Sequence, residues 1–370
     1  MASGGSATKF LLPLGTLRFV LAVAVVFSHT RLEKLVYLGW DAGSIGTFHA
    51  GPMAVMVFCC ISGYVMTMLI NNHYLPDGNA ATRARTFGRY CIDRAARLFP
   101  QFATYVLITL VVLATTNITT TWSDGLSVID LVLNLLMIPL GFYLWLPAMA
   151  MLIPQAWSLG LEWCFYLVAP WLLVARKWSV VYLTGYLSMA FFLLPFHGLI
   201  MPLQWGYTLL PGVMFIFVLG MVQADTDARR RSVYLRVVIA FSSLLLVLRM
   251  TISSLDFKDG NLNKEVLAGA IIAALISQGF RSTRTSKFDT MLGNLSYGVF
   301  LNHAIVDRVL VELLPGRQST VGFFVVVVAT STLSAAVTFA LVERPVLRWR
   351  RSLRSTRIGA SPLVPEKSAG

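Results

Sequence analysis

Charge is scarce in this chain: 13% of its 370 residues are Asp, Glu, Lys or Arg, against 56% that are hydrophobic. That balance excludes an ordinary soluble multidomain protein, and several apolar stretches of about twenty residues point to a polytopic membrane protein. Cysteine is scarce too. Cys59, Cys60, Cys91 and Cys164 lie in or beside apolar segments without metal-ligand spacing, so neither a disulfide framework nor a metal site is expected. No internal repeat and no stretch with the composition of a soluble domain is evident. The net charge of +13 does not indicate nucleic acid, because Lys and Arg gather in short clusters between apolar runs and toward the C-terminus. Such clusters are typical of cytoplasmic loops beside the anionic lipid of a bilayer.

What is present is a series of ten apolar spans, roughly 11–30, 50–70, 98–116, 155–175, 179–196, 205–223, 232–252, 264–280, 289–311 and 320–342. An eleventh stretch, 126–147, is broken by Asn134, Pro139, Gly141 and Pro147. If it does not cross, the clusters around Arg94, Arg176, Arg230, Arg281 and Arg344 all fall on one side; if it crosses, that bias collapses. The expected fold is therefore an all-α integral membrane bundle of about ten transmembrane helices, multi-pass in the plasma (inner) membrane, with both termini cytoplasmic. Stretch 126–147 is then a re-entrant or interfacial element on the outer side. Lys9 before the first apolar run would suit a cleaved signal, but Arg18 interrupts its core, and a retained helix is expected. Residues 1–357 read as one membrane domain and 358–370, with Gly359, Pro362 and Pro365, as a disordered cytoplasmic tail.

The first span carries the first chemical signal. Arg18 and His29 are eleven positions apart, which puts them within about 20° of one helix face and about 16 Å apart along it. An ionisable group inside a spanning helix costs at least ~2.5 kcal/mol on insertion scales and usually faces a bundle interior, although either residue can also snorkel to its nearer interface. In WSLGLEWCFYL, Ser158, Glu162 and Tyr166 recur every four residues as a polar stripe, beside Trp157. In LGNLSYGVFLNH, Ser296 and His303 share a face. Each alone has a plain structural reading. Together, a carboxylate that orients a histidine makes a general base near neutral pH, and Glu162 would pair with His29 or His303. On the other side, Arg94 and Arg97 lie one turn apart before Pro100, with Arg89 nearby and Arg344 closing the last span; arginines so spaced grip phosphate bidentately. Arg83 and Arg85 read as simple anchors, and His49, His73 and His197 as interface or loop residues. An inner phosphate-attracting mouth and an outer acid/base cluster suit transfer from a cytoplasmic phosphorylated donor to an outer acceptor, or proton-coupled transport of an anionic solute.

These residues, taken in order, resemble the integral-membrane acyltransferase family 3, which contains polysaccharide, lipopolysaccharide and nodulation-factor O-acyltransferases and macrolide acyltransferases. The likeness rests on LRFVLAVAVVFSH, VFCCISGYVM, RAARLFP, WSLGLEWCFY, LGNLSYGVFLNH and LVERP, and runs from about Leu14 to Pro345. It implies an acyl-coenzyme A donor, most often acetyl-CoA, a hydroxyl acceptor on a carbohydrate and a ten-helix bundle. It implies that His29 is the family's essential histidine and Arg18 the arginine of the same motif. Arg94 and Arg97 match its donor-entrance motif, Glu162 the acid of its tryptophan–serine motif, and Ser296 and His303 its late tyrosine-containing motif. Some members carry an extra extracytoplasmic hydrolase-like domain, and no stretch here is long enough to be one. Acceptor, acyl length and oligomeric state stay open, and Trp122, Trp145 and Trp157 suit a sugar or an apolar aglycone equally.

Overall fold

The computed structural model describes residues 13–30, 32, 48–74, 80–116, 118, 120, 122–146, 149–174, 177–251, 262–282 and 286–355, with side chains as far as Arg350. The expected tail at 358–370 and Pro147 lie outside the described residues. Among the described residues all regular structure is helical. The α-helices are α1 (Leu14–His29), α2 (Ala50–Leu69), α3 (Ala80–Thr115), α4 (Val128–Leu136), α5 (Trp157–Val174) and α6 (Trp178–Phe196). They continue with α7 (Leu210–Met221), α8 (Ala228–Thr251), α9 (Asn263–Ser277), α10 (Lys287–Leu313), α11 (Val321–Thr338) and α12 (Arg344–Ser355).

Each of the ten expected spans contains one of these helices, but seven stretches among the described residues are both long and apolar enough to cross a membrane. They are Ala50–Tyr74, Ala80–Thr115, Pro154–Val174, Trp178–Phe196, Pro202–Ala224, Ala228–Thr251 and Val321–Arg350. Length explains part of the shortfall: at 1.5 Å per residue, α1 with 16 residues and α9 with 15 fall short of a layer about 30 Å thick. α10 has the length but carries Asp289, Asp307, Arg308 and Glu312. Stretch 126–147 is two short pieces, α4 and a 3-10 turn at Ile138–Trp145. Ser127 and Asp130 form a capping box at the start of α4, and Asn134 ties its inner face to the following strand of loop through Ala150 O at 2.8 Å and Leu152 N at 3.0 Å. Its other face, Val128, Ile129, Val132 and Leu136, is exposed.

Helix directions follow from contacts between ends. α1 and α10 run parallel, Thr16 meeting Asp289 at one end and His29 meeting His303 at the other. α3 also runs with α10, since Tyr297 donates to Leu98 O at 2.9 Å and Asn302 to Tyr105 Oη at 3.1 Å. The end of α11 and α12 return against α3: Gln101 and Tyr105 bond Thr338, Arg97 pairs with Glu343, and Asp93 with Arg350. α7, apolar all round, is buried continuously from Gly212 to Met221 and forms the centre of the bundle. α3 is longer than expected, because the helix continues through Pro100 instead of starting there, and at 36 residues it spans about 54 Å and carries its arginine cluster beyond an apolar layer of about 30 Å.

The α1–α10 contact is the tightest constraint on the candidate site. α1 has no side-chain cap of its own; Asp289 of α10 supplies one, accepting from Thr16 N at 2.7 Å and Thr16 Oγ1 at 3.0 Å. The backbones meet where neither residue has a side chain: a Cβ on Gly15 would lie 1.9 Å from Asp289 O, and one on Gly293 2.8 Å from Gly15 Cα. Gly15→Ala should therefore cost about 1–3 kcal/mol, the range of core overpacking. Gly88→Ala, which meets nothing within 4 Å, serves as the control. Thermal melting of the two purified variants in detergent checks this; equal melting temperatures would remove the close contact from consideration.

Candidate active site

Inside the bundle lies a cavity of about 290 Å³ lined by seven helices, with Phe217 of the central α7 among the lining residues. α1 contributes Arg18, α3 contributes Arg94 and Arg97, and α12 contributes Arg350. α5 turns its stripe of Ser158, Glu162 and Tyr166 into the same space, α10 adds Ser296 and Tyr297, and α2 adds Ser62 and Cys59. The four-residue spacing read along α5 thus becomes one wall of a cavity.

Its basic end is held by buried carboxylates. Asp93, 1% exposed, takes Nη2 of Arg94 and also Nε and Nη2 of Arg350 at 3.1 and 3.3 Å. Arg97 pairs with Glu343 and lies 5.6 Å from the centre of the Tyr297 ring, and Arg94 lies 6.0 Å from that of Tyr166. Arg94 Nε is buried with no hydrogen-bond partner. Arg18 lines the cavity and has no carboxylate partner among the described residues. Such a site is short of acceptors, which is what an anion would supply.

Glu162 does not pair with a histidine. Its Oε1 accepts the hydroxyls of both Ser62 and Tyr166, which commits it to the cavity wall. Ser158 and Ser296 give their protons to Gln155 O at 3.2 Å and Gly293 O at 2.9 Å, so toward the cavity they present lone pairs.

The histidines form a separate pair with each other. Nε2 of His303 and Nδ1 of His29 are 3.3 Å apart, and the rings 5.0 Å centre to centre. His303 is 1% exposed, and its Nδ1 lies 2.8 Å from Phe300 O. That contact needs a hydrogen on Nδ1, which leaves Nε2 of His303 as an acceptor. His29 Nδ1 lies 2.9 Å from Val25 O and likewise carries the hydrogen, shared with His303 Nε2, so the lone pair of His29 is on its Nε2. Neither histidine lines the cavity; the residue between is Phe300, whose side chain is in the cavity wall, edge-to-face with Phe58 at 6.3 Å, and whose carbonyl serves His303.

Three sequence-derived candidates fall elsewhere. Arg89 and Arg344 are exposed and off the cavity, because α3 and α12 turn them outward, and Trp157 packs on Tyr207 at 4.8 Å. Trp122 stacks under Arg308 at 5.0 Å, while Trp145 is half-exposed against Trp205. Sequence reading missed Arg350 and Ser62, and it takes Asp93 with Pro100 only as the sign of a shaped helix entry, without giving it a partner. Arg350 was hidden in a run of basic residues; the position of Asp93 beside Arg94 was the available signal. Among the described residues no three His, Cys, Asp or Glu side chains converge to hold a metal ion.

A family model described as an acyltransferase domain matches residues 14–342. A curated relative, an uncharacterized protein of Aquifex aeolicus (strain VF5), is 27% identical over 206 residues, 54% of this chain and 90% of its own length. No solved structure matches the chain. With the family match covering the histidine pair and every residue named in the cavity lining except Arg350, the chain belongs to acyltransferase family 3, a family of membrane acyltransferases.

Proposed function

We propose that this protein is a membrane O-acyltransferase that moves an acyl group, most simply acetyl, from acyl-coenzyme A at the arginine-bearing end to a hydroxyl of a carbohydrate at the opposite end. The observation that carries the reading is the arrangement of one cavity: guanidiniums from three helices at one end, and a histidine pair one residue beyond its far wall. In this reading that end, and both termini, face the cytoplasm of a plasma (inner) membrane, a side supported by the arginine clusters. In this reading the exposed apolar face of α4 rests in the outer interface, with its capped polar face against the protein.

The donor is a substrate, and its chemistry fits the lining. At about 290 Å³ the cavity is at the low end for ligand sites, which run ~300–1,000 Å³, so it takes the acylated arm while the nucleotide stays at the mouth. Arg18, Arg94 and Arg97 bind phosphate there, and the outward-facing Arg89 and Arg344 draw the anion toward it. Ser158, Tyr166, Glu162 and Ser296 offer hydrogen-bonding groups to the amides of the arm. The thioester reaches His29 past the ring of Phe300.

His29 Nε2 then takes the proton of the acceptor hydroxyl as its oxygen bonds the acyl carbon. The carbon–sulfur bond breaks, and the departing thiolate receives the proton back from the imidazolium. His303 holds His29 in the required tautomer, the role a carboxylate plays in other bases. An acyl-histidine formed first, by attack of Nε2 on the thioester, uses the same geometry. Trp145, half-exposed at the outer end, offers a ring face to a sugar or to a macrolide-like aglycone.

His29→Ala should lower acceptor-dependent release of free coenzyme A by about 10²–10⁴ while the protein stays in the membrane, a general base being worth that much. The assay uses purified protein, acetyl-coenzyme A and candidate glycans. Near-normal rates in this variant would refute the role of His29, and no acceptor-dependent release by the unaltered protein with any hydroxyl acceptor would favour a transporter of anionic solutes. His303→Phe keeps a ring but removes the side-chain acceptor for His29 Nδ1, leaving only Val25 O on its own helix; it should lower kcat by at least about tenfold, as one misplaced base does, with donor KM unchanged. A rise in donor KM instead would place His303 in the donor site.

A further inference from the structure

The family match ends at residue 342, yet the cavity does not. Its mouth is completed by Arg350 from α12, a helix that begins at Arg344, after the matched region. Arg350 is 5% exposed, although it belongs to a helix whose other described arginines, Arg344 and Arg348, are exposed. A basic helix lying loosely on the membrane surface has no reason to bury one of its arginines. This one is buried because α12 packs along α3 and brings its guanidinium to Asp93 through two contacts, Nε to Oδ1 at 3.1 Å and Nη2 to Oδ2 at 3.3 Å.

Asp93 is the same carboxylate that holds Arg94. One buried acid therefore sets two guanidiniums from different helices side by side on a single cavity wall. Nearby, Arg94 Nε lacks an acceptor, and Arg18 lacks a carboxylate among the described residues. The wall is arranged for an anion with several oxygens, which a phosphate or diphosphate has and a carboxylate lacks.

We infer that Arg350 is a phosphate-binding residue of the donor site and that Asp93 is the positioning residue that docks α12 over the mouth, so that the donor site extends beyond the acyltransferase domain into the C-terminal helix. The inference rests on the proposed acyl-coenzyme A donor and adds to it a residue, a helix and a group on the ligand. It also explains why Asp93 precedes Arg94 in a segment otherwise rich in arginine: without the acid, α12 would be repelled by α3.

Binding of three compounds to the purified full-length protein in detergent tests this: coenzyme A, dephospho-coenzyme A, which lacks the ribose phosphate, and pantetheine, which lacks all phosphates. Arg350→Gln should weaken coenzyme A binding about tenfold, the loss of one charge-assisted hydrogen bond, and leave pantetheine binding within about twofold. Arg350→Lys, which keeps the charge and loses the fork, should recover part of the affinity, and Arg348→Gln, exposed on the same helix, should match the unaltered protein. Dephospho-coenzyme A assigns the phosphate: equal weakening of both nucleotides points to the diphosphate, weakening of coenzyme A alone to the ribose phosphate. Asp93→Asn should weaken coenzyme A at least as much as Arg350→Gln, since it releases two guanidiniums. Unchanged coenzyme A binding in Arg350→Gln, or equal loss of pantetheine binding, overturns the inference. Failure of the unaltered protein to bind coenzyme A at all sinks the donor assignment instead, so the two failures are distinguishable.

Discussion

A guanidinium inside a helical bundle has to meet a carboxylate, a ring face or a ligand, because leaving it in hydrocarbon costs upward of ~2.5 kcal/mol per residue on insertion scales. The arginine-bearing end of the cavity is arranged around that requirement. Arg97 has Glu343 and the face of Tyr297; Arg94 has Asp93 and, at 6.0 Å, the ring of Tyr166; Arg350 has Asp93. These partners come from α3, α5, α10, α12 and the turn before α12, so satisfying the charges fixes how those elements pack. The acids hold the arginines in place and leave Arg94 Nε without an acceptor. A site with fully matched charges would be stable and indifferent to an anion; this one is pre-organised for it.

The second constraint works at a distance. Thirteen residues separate Thr16 from His29 and fourteen separate Asp289 from His303, so two parallel helices pinned together at one end arrive nearly in register at the other. The glycine contact between Gly15 and Gly293 sets their spacing, and Asp289 sets their relative height. The imidazole pair is therefore aligned by residues about 20 Å away that touch no substrate, and Arg18, two residues beyond the Asp289 cap, is placed in the cavity by the same pinning.

How much of this was legible in sequence depended on whether a residue's role was periodic or pairwise. The stripe Ser158, Glu162 and Tyr166 follows from helical spacing and does line one cavity. The arginines one turn apart before Pro100 are legible for the same reason. Partners are another matter: Glu162 and the histidines are equally ionisable in a linear reading, and only the packing of α2 against α5 adds Ser62 to the Tyr166 hydroxyl that the same helix already gives the carboxylate, while α1 and α10 give the histidines to each other. Arg350 was invisible because composition treats Arg344, Arg348 and Arg350 alike, whereas burial singles out one of them. Span counting goes further than helix length and composition support among the described residues, for a related reason. Apolar runs mark helices well, but α1 and α9 are short, and a bundle can bury short helices among longer ones without each crossing a full apolar layer by itself.

The wall between cavity and histidines gives the arrangement its chemical sense. A thioester held beside an activated base that also meets water would be hydrolysed, so a productive enzyme needs the two apart until an acceptor is present. Phe300 and Phe58 supply an apolar partition at that boundary, and Phe300 is coupled to both sides: it lines the cavity, while its carbonyl takes the Nδ1 hydrogen of His303 and an amide hydrogen of Gln155 at 3.0 Å. Gln155 belongs to the 3-10 turn that leads into α5, the helix carrying Glu162. This turn, the cavity wall and the tautomer of the histidine pair therefore meet at one backbone carbonyl. In the proposed reaction, an acceptor that moves this turn would act on all three groups at once, so acceptor binding and acyl transfer would be coupled at this carbonyl.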